Sequence, residues 1–453
     1  MPRSLRTSRA TLAYDARVAS TAAPPVPPSA ATSAAAPRQS TVRTAFAGLI
    51  GNVLEWFDFA VFGYFSGEIG ANFFPGESAT AQSLKTFAVF AIGFAARPIG
   101  SLVLGPVGDR IGRRALLTLS IALMGAATLA LGLLPTYKQV GLLAPALLVL
   151  MRLVQGFSLG GEFTGSMVYT TELASPWMRG LVSSSTAAGT TMGFILGSGT
   201  AALLGKLLDA EQKASWGWRV PFIASILLCA AGWLLRRGLR ESEEGEKAVA
   251  ARPPLWSSLA SDWRAMVQTF GIVGMTNAAY YLTFTFAVEY RKGHPGPDKP
   301  DFQSINTLVL FVVLLAKPLG GWLSDLIGRR RLMIALTIAG SVLLYFGFGL
   351  MLSGTGTDFL IGQLLLALPL GMALGLQGAM VVEIFPLRTR VTSMSLAYSI
   401  TLVLGGGIAP FIATWLIESQ HMLMGPVYYA LIYSVIGLAV LVPMRETNDR
   451  SLA

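Results

Sequence analysis

From about residue 44 onward, the chain alternates apolar runs of about 20 residues with short polar breaks. A run of that length, wound as an α-helix, spans the ~30 Å hydrocarbon core of a bilayer. Inside lipid the backbone must satisfy its own hydrogen bonds, so these runs are predicted to be helices. They fall near 44–66, 83–105, 115–135, 141–164, 181–204, 217–236, 266–289, 303–323, 332–352, 358–382, 392–417 and 424–444, twelve in all. The expected fold is therefore an all-α integral membrane protein with twelve transmembrane helices. Only 13 % of the residues are charged, about half the share of a soluble domain and too few to coat a globule of this size. One cysteine, Cys229, excludes a disulfide framework and a thiolate metal site. The two histidines, His294 and His421, lie between runs and leave little for imidazole catalysis. Gly156-Phe-Ser158-Leu-Gly160 has the spacing of a hydrolase elbow, but it lies within an apolar run and not between a strand and a helix. No enzyme, metal or cofactor is expected.

Residues 1–43 are rich in Ala, Ser, Thr and Pro and read as a disordered tail. The longest break, 237–265, carries Glu241, Glu243, Glu244, Glu246 and Pro253-Pro254. It divides the chain into a first six-helix bundle, 44–236, and a second, 266–445, with 446–453 as a short tail. The net charge of +10 is a topology signal and not a sign of nucleic-acid binding. The breaks on the side of the N-terminus hold 19 Lys and Arg and those on the other side hold 8, which predicts that both termini and the linker are cytoplasmic.

The two halves repeat each other. Gly105-Pro-Val-Gly-Asp109-Arg110-Ile-Gly112-Arg113-Arg114 returns as Gly321-Trp-Leu-Ser-Asp325-Leu-Ile-Gly328-Arg329-Arg330, and Glu172 and Arg179 return as Glu383 and Arg390. Parallel repeats imply a pseudo-two-fold axis along the membrane normal, with a binding site between the halves. In the repeated motif the glycines let helix ends approach. The aspartate is placed to accept from a neighbouring helix N-terminus or from the arginine cluster. Gly105, Asp109, Arg110, Arg113, Gly321, Asp325 and Arg329 are thus expected to form a latch that is made and broken as the halves rock.

This doubled loop motif resembles the signature of the major facilitator superfamily. Gly51-Asn-Val-Leu-Glu55-Trp56-Phe57-Asp58-Phe59, Arg97-Pro98-Ile-Gly100, Gln155-Gly-Phe-Ser-Leu-Gly-Gly-Glu162-Phe163 and Trp216-Gly-Trp-Arg219-Val-Pro-Phe222 are similar to its metabolite:proton symporter family. Thr276-Asn277-Ala-Ala-Tyr280-Tyr281 and Trp415-Leu-Ile-Glu418-Ser419 resemble the branch that carries proline and glycine betaine. The resemblance implies a bacterial inner-membrane transporter, expected to be a monomer with the lipid bilayer, protons and a small solute as its partners and no nucleic acid. Its cargo is a small carboxylate-bearing metabolite: proline or glycine betaine first, and as the alternative an organic acid such as citrate or 2-oxoglutarate.

Ionisable groups inside a membrane helix are costly and mark function by default. Glu55 and Asp58 share one face of the first span. Arg152, Gln155 and Glu162 share a face of the fourth. Glu55, Asp58 and Glu162 are the candidates for proton exchange. A fixed buried ion pair, such as Asp58 with Arg152, is the alternative reading of the same residues. Arg97, Arg152 and Lys317 are the candidate anchors for a carboxylate, with Trp56, Tyr280 and Tyr281 as an aromatic surface for a cation.

Overall fold

The computed structural model describes residues 41–111, 113–160, 162–236, 255–294, 298, 300–387 and 389–448, with the side chains of 41–51, 105–118, 162, 232–236, 255–256 and 353 left aside. Most of the N-terminal tail and of the linker lies outside the described residues. All twelve expected spans are helical. The first half comprises α1 (Thr41–Tyr64), the short α2 (Ser66–Phe73), α3 (Ala79–Ile111), α4 (Arg113–Leu133), α5 (Leu143–Ser158), α6 (Glu162–Leu173), α7 (Arg179–Leu207) and α8 (Val220–Arg236). The second half comprises α9 (Leu255–Tyr281), α10 (Ala287–Gly293), α11 (Phe302–Ile327), α12 (Arg329–Ser353), α13 (Gly356–Ile384), α14 (Arg390–Thr401), α15 (Ala409–Thr414) and α16 (Gly425–Leu441). Among the described residues, seven helical runs are both long and apolar enough to cross a membrane. Three shorter apolar helices, Leu119–Leu133, Gly217–Ala231 and Gly425–Leu441, accompany them.

Three spans are interrupted, each for a local reason. The fourth breaks between α5 and α6 at Leu159 and Gly160, where glycine weakens the helix. The seventh joins α9 to α10 through a π-turn at Leu282–Phe286. The eleventh joins α14 to α15 through a second π-turn, Leu402–Gly407. Pro410, which has no N–H to give, opens the helix that follows.

The second span runs on to Ile111, so the first copy of the loop motif is helical almost to its end and not an open loop. The second copy behaves alike: α11 continues to Ile327 and stops at Gly328, whose φ of 105° suits glycine. One glycine suffices for the turn.

Glycines also set how closely the spans pack. A Cβ on Gly156 would lie 1.8 Å from the Gly93 carbonyl oxygen, and one on Gly160 would lie 2.1 Å from the Ser101 nitrogen. The hydrolase-like spacing thus serves close packing of α5 against α3. In the second half a Cβ on Gly375 would lie 2.0 Å from the Lys317 carbonyl oxygen. Gly100 and Gly320 meet the carbonyls of Phe157 and Met372 in the same way. Each lies three residues after the cation of its half, Arg97 or Lys317, although relative to the repeated motif the two cations stand one helical turn apart, an offset of 220 against 216. Across the halves, α7 packs along α11 and α13, and α14 packs on α3.

Candidate functional site

A cavity of about 30 Å³ lies between the halves. Residues from both halves line it: Trp56, Phe163, Ser183, Thr190 and Phe194 from the first, and Asn277, Tyr280, Lys317, Gln377 and Tyr398 from the second. Its wall is largely aromatic. The Trp56 ring stands 5.5 Å from Phe163 and 6.1 Å from Phe194, centroid to centroid, and Phe194 stands 5.0 Å from Tyr280. No carboxylate is among the lining residues, and Lys317 is their one formal cation.

Lys317 is 1 % exposed. Its Nζ donates to the Ala187 carbonyl oxygen at 2.6 Å and to Thr190 Oγ1 at 3.0 Å, both on α7 of the opposite half. It also stands 5.9 Å from the centre of the Tyr280 ring. Gln377 Nε2 donates to the Tyr398 hydroxyl at 3.1 Å, and Thr276 donates to Gln377 Oε1. Among the described residues, three buried polar atoms of the wall, Trp56 Nε1, Ser183 Oγ and the Tyr280 hydroxyl, have no hydrogen-bond partner. Buried polar groups are normally paired, so these three are available to a bound solute.

The structure brings Trp56, Tyr280 and Lys317 to one cavity and leaves Arg152 and Tyr281 outside it. Arg152 is fully buried within the first half, with its guanidinium 4.5 Å from the centre of the Phe59 ring and 4.3 Å from that of Phe62. Its Nη1 lies 3.5 Å from Asp58 Oδ2 and donates to Gln155 Oε1 at 2.9 Å, and Gln155 in turn donates to Thr128. The fixed-pair alternative is thus the geometry found for Asp58. Glu55 pairs with Arg97 in the same bundle. Tyr281 packs on Phe90, Phe94 and Phe194. Arg97 borders a second, smaller cavity of about 10 Å³ that shares Phe163 and Tyr398 with the first. The Glu162 side chain lies outside the described residues.

Contacts across the halves bridge them beyond the main cavity at both ends. At the end that carries the repeated motif, Asp325 accepts from the backbone N–H of Gly180 and Leu181, each at 2.9 Å, at the N-terminus of α7. Arg329 Nη1 donates to the same carboxylate at 2.7 Å and Nη2 pairs with Glu383 at 3.1 Å. Arg390 reaches Glu172 at 2.5 Å. Asp325 therefore meets both partners expected of it, a helix N-terminus and an arginine. The side chains of Gly105, Asp109, Arg110 and Arg113 in the first copy lie outside the described residues. At the other end the contacts are mostly neutral: Tyr64 donates to the Phe284 carbonyl at 2.9 Å, Asn306 donates to the Tyr64 hydroxyl at 3.0 Å, and Ser198 meets Thr307 at 2.7 Å.

Asp325→Asn keeps the shape of this contact and removes its charge. A charge-assisted hydrogen bond contributes about 1.5–3 kcal/mol, so the mutant is expected to transport roughly ten-fold more slowly at unchanged abundance. Wild-type rates in a solute-uptake assay would reduce the motif to a topological charge cluster.

Sequence reasoning missed Phe163, Ser183, Thr190, Phe194, Gln377 and Tyr398 as cavity residues. For Gln377 a signal existed, an amide within an apolar run; the others are ordinary residues of membrane helices.

Two family descriptions match the chain: "Sugar (and other) transporter" over residues 44–252 and "Major Facilitator Superfamily" over residues 269–452. The proline/betaine transporter of Salmonella typhimurium is 33 % identical over 419 residues, 90 % of this chain and 84 % of that protein. An inner membrane metabolite transport protein of Escherichia coli K12 is 36 % identical over 427 residues, 92 % of this chain and 97 % of that protein. Among solved structures, the xylose transporter of E. coli in a partially occluded inward-open conformation superposes with a TM-score of 0.71 at 17 % identity, covering 91 % of this chain and 99 % of its own. That likeness carries the fold alone.

Proposed function

We propose that this chain, which belongs to the major facilitator superfamily in the branch of the proline/betaine transporters, is a proton-coupled importer of proline and glycine betaine. It is a multi-pass membrane protein and a secondary transporter, not an enzyme. In the proposed arrangement it lies in a bacterial inner membrane with both termini in the cytoplasm, as the 19-to-8 charge asymmetry supports. The motif end is then the cytoplasmic end.

One observation carries the choice of solute: the cavity between the halves offers a single cation, aromatic faces and no carboxylate. A zwitterion with one carboxylate and a substituted ammonium matches that set. Lys317 takes the carboxylate, Trp56 Nε1 and Ser183 Oγ offer further hydrogen bonds, and Trp56, Phe194 and Tyr280 hold the cation by their faces. A di- or tricarboxylate asks for two cations, and Arg97 is held by Glu55 beside a different cavity. The space suits about two water molecules, so solute entry requires the wall to move apart.

The test is competition for uptake of radiolabelled betaine into proteoliposomes under an imposed pH gradient. Excess proline is expected to compete and citrate is not. A desolvated cation–π contact contributes about 2 kcal/mol, so Tyr280→Ala is expected to raise the KM for betaine roughly 30-fold, and Tyr281→Ala much less. Inhibition by citrate but not by proline would sink the reading.

A further inference from the structure

We propose that Lys317 carries the coupled proton, holding it while the solute carboxylate is bound and releasing it after the solute leaves. This rests on the reading of the central cavity as the solute site. Of the three candidate acids, the two whose side chains are described, Glu55 and Asp58, are poor carriers in this geometry. Glu55 and Asp58 are each paired with an arginine, and arginine does not give up its proton. Lys317 alone among the cavity residues has a titratable nitrogen and, among the described residues, no carboxylate in reach.

Its hydrogen bonds point the same way. An ammonium has three N–H donors and a neutral amine has two. Within the protein Nζ has two acceptors, the Ala187 carbonyl and Thr190 Oγ1. That count satisfies the neutral amine, whereas an ammonium keeps one donor without a protein acceptor and, among the described residues, no carboxylate partner. Among the described residues the surroundings supply no counter-charge: Asp325, the other charged residue of α11, is held by Arg329 and by the Gly180 and Leu181 N–H groups. The charged residues of helices near α11 sit at helix ends: Arg179 and Lys206 of α7, Glu289, Arg291 and Lys292 of α10, Arg329, Arg330 and Arg331 of α12, Asp358 and Glu383 of α13. The other titratable groups of the cavity are the phenols of Tyr280 and Tyr398.

A cycle follows in which protons balance. Open to the outside, the amine takes a proton from water and forms an N–H bond. The resulting ammonium binds the solute carboxylate, and the compensated pair is enclosed. Open to the inside, the zwitterion departs with its carboxylate still ionised. The stranded ammonium breaks one N–H bond, passing the proton to cytoplasmic water. The neutral amine closes onto Ala187 and Thr190 and the carrier returns empty. Each turn moves one solute and one proton inward, with one net positive charge. Thr190 is here a positioning residue, which receives the amine when no carboxylate is present.

Two measurements test this on the full-length protein. The first is calorimetry of betaine binding to the purified wild type in buffers of different ionisation enthalpy. Binding is expected to take up protons, the number rising toward one per betaine as the pH is raised. The second is Lys317→Arg in proteoliposomes. It keeps a cation that stays charged, so weakened betaine counterflow is expected without uphill accumulation or solute-driven proton movement. Wild-type binding without proton uptake overturns the proposal, even if the variant does not fold. So does Lys317→Arg that still concentrates betaine, or proton uptake that disappears in Glu55→Gln while wild-type Lys317 remains. A wild type that binds neither betaine nor proline overturns the substrate reading first, and this proposal with it.

Discussion

Gly321→Val is expected to cut uptake about 100-fold while leaving the amount of protein in the membrane unchanged. At this position α11 meets α7 backbone to backbone. A Cβ on Gly321 would lie 2.4 Å from the Gly180 carbonyl oxygen, and one on Gly180 would lie 2.4 Å from that of Gly321. Neither neighbour is a flexible side chain that could step aside. Overpacking of this kind costs about 3 kcal/mol at the upper end of its range, which is ~100-fold in the population of the closed state. In the proposed cycle the contact exists only when the motif end is shut, so the damage is expected to fall on that state and to spare the open one. A cysteine at Ser183 in the cavity wall, in a chain with Cys229 replaced by serine, reports it: the Gly321→Val background is expected to label readily from the motif side. A variant that transports at the wild-type rate would show that these helices do not need to touch.

The second large effect is on stability. Asp58→Leu alone, or Arg152→Met alone, is expected to cost about 3–5 kcal/mol, because either leaves one charge buried without its partner. Asp58 is 1 % exposed and Arg152 fully buried. The double variant Asp58→Leu/Arg152→Met removes both charges and is expected to recover most of the loss. Thermal unfolding in detergent checks the pattern. Single variants as stable as the wild type would mean that the pair is not what holds the first and fourth spans together.

What could be read from the sequence followed what the membrane penalises. Apolar runs of spanning length admit only helices, so the twelve spans were legible, but not all their ends: α9 begins eleven residues before the expected start, inside the expected linker, and α6 ends nine residues after the expected end. A charge within such a run is costly, so Glu55, Asp58, Arg97, Arg152 and Lys317 stood out. Their pairing was half legible: Asp58 with Arg152 stood as the alternative to proton exchange, whereas Glu55 with Arg97, 42 positions apart in sequence, is selected only by the packing of α1 on its neighbours. Tyr280 and Tyr281 illustrate a finer limit. Adjacent residues on a helix point about 100° apart, and nothing in the run says which one faces the cavity. Thr190, Phe194 and Tyr398 were illegible for a plainer reason, since a neutral or aromatic side chain in a membrane helix carries no penalty that demands an explanation.

The segment just after α16 bears on how the protein can be handled in the laboratory. Glu446 accepts from the backbone N–H of Arg330 at 3.0 Å, and its carboxylate lies against Gly328. Arg330 in turn donates to the Leu441 carbonyl at 2.9 Å. Thr447 is fully buried and donates to Glu383 at 2.7 Å, the same carboxylate that holds Arg329. A purification handle or fluorescent fusion joined before Asn448 would therefore pull on the arginine that grips Asp325. Attached a few residues later, the same handle would leave that grip alone. Two fusions differing by less than ten residues of spacer are thus expected to report different turnover numbers for one and the same carrier.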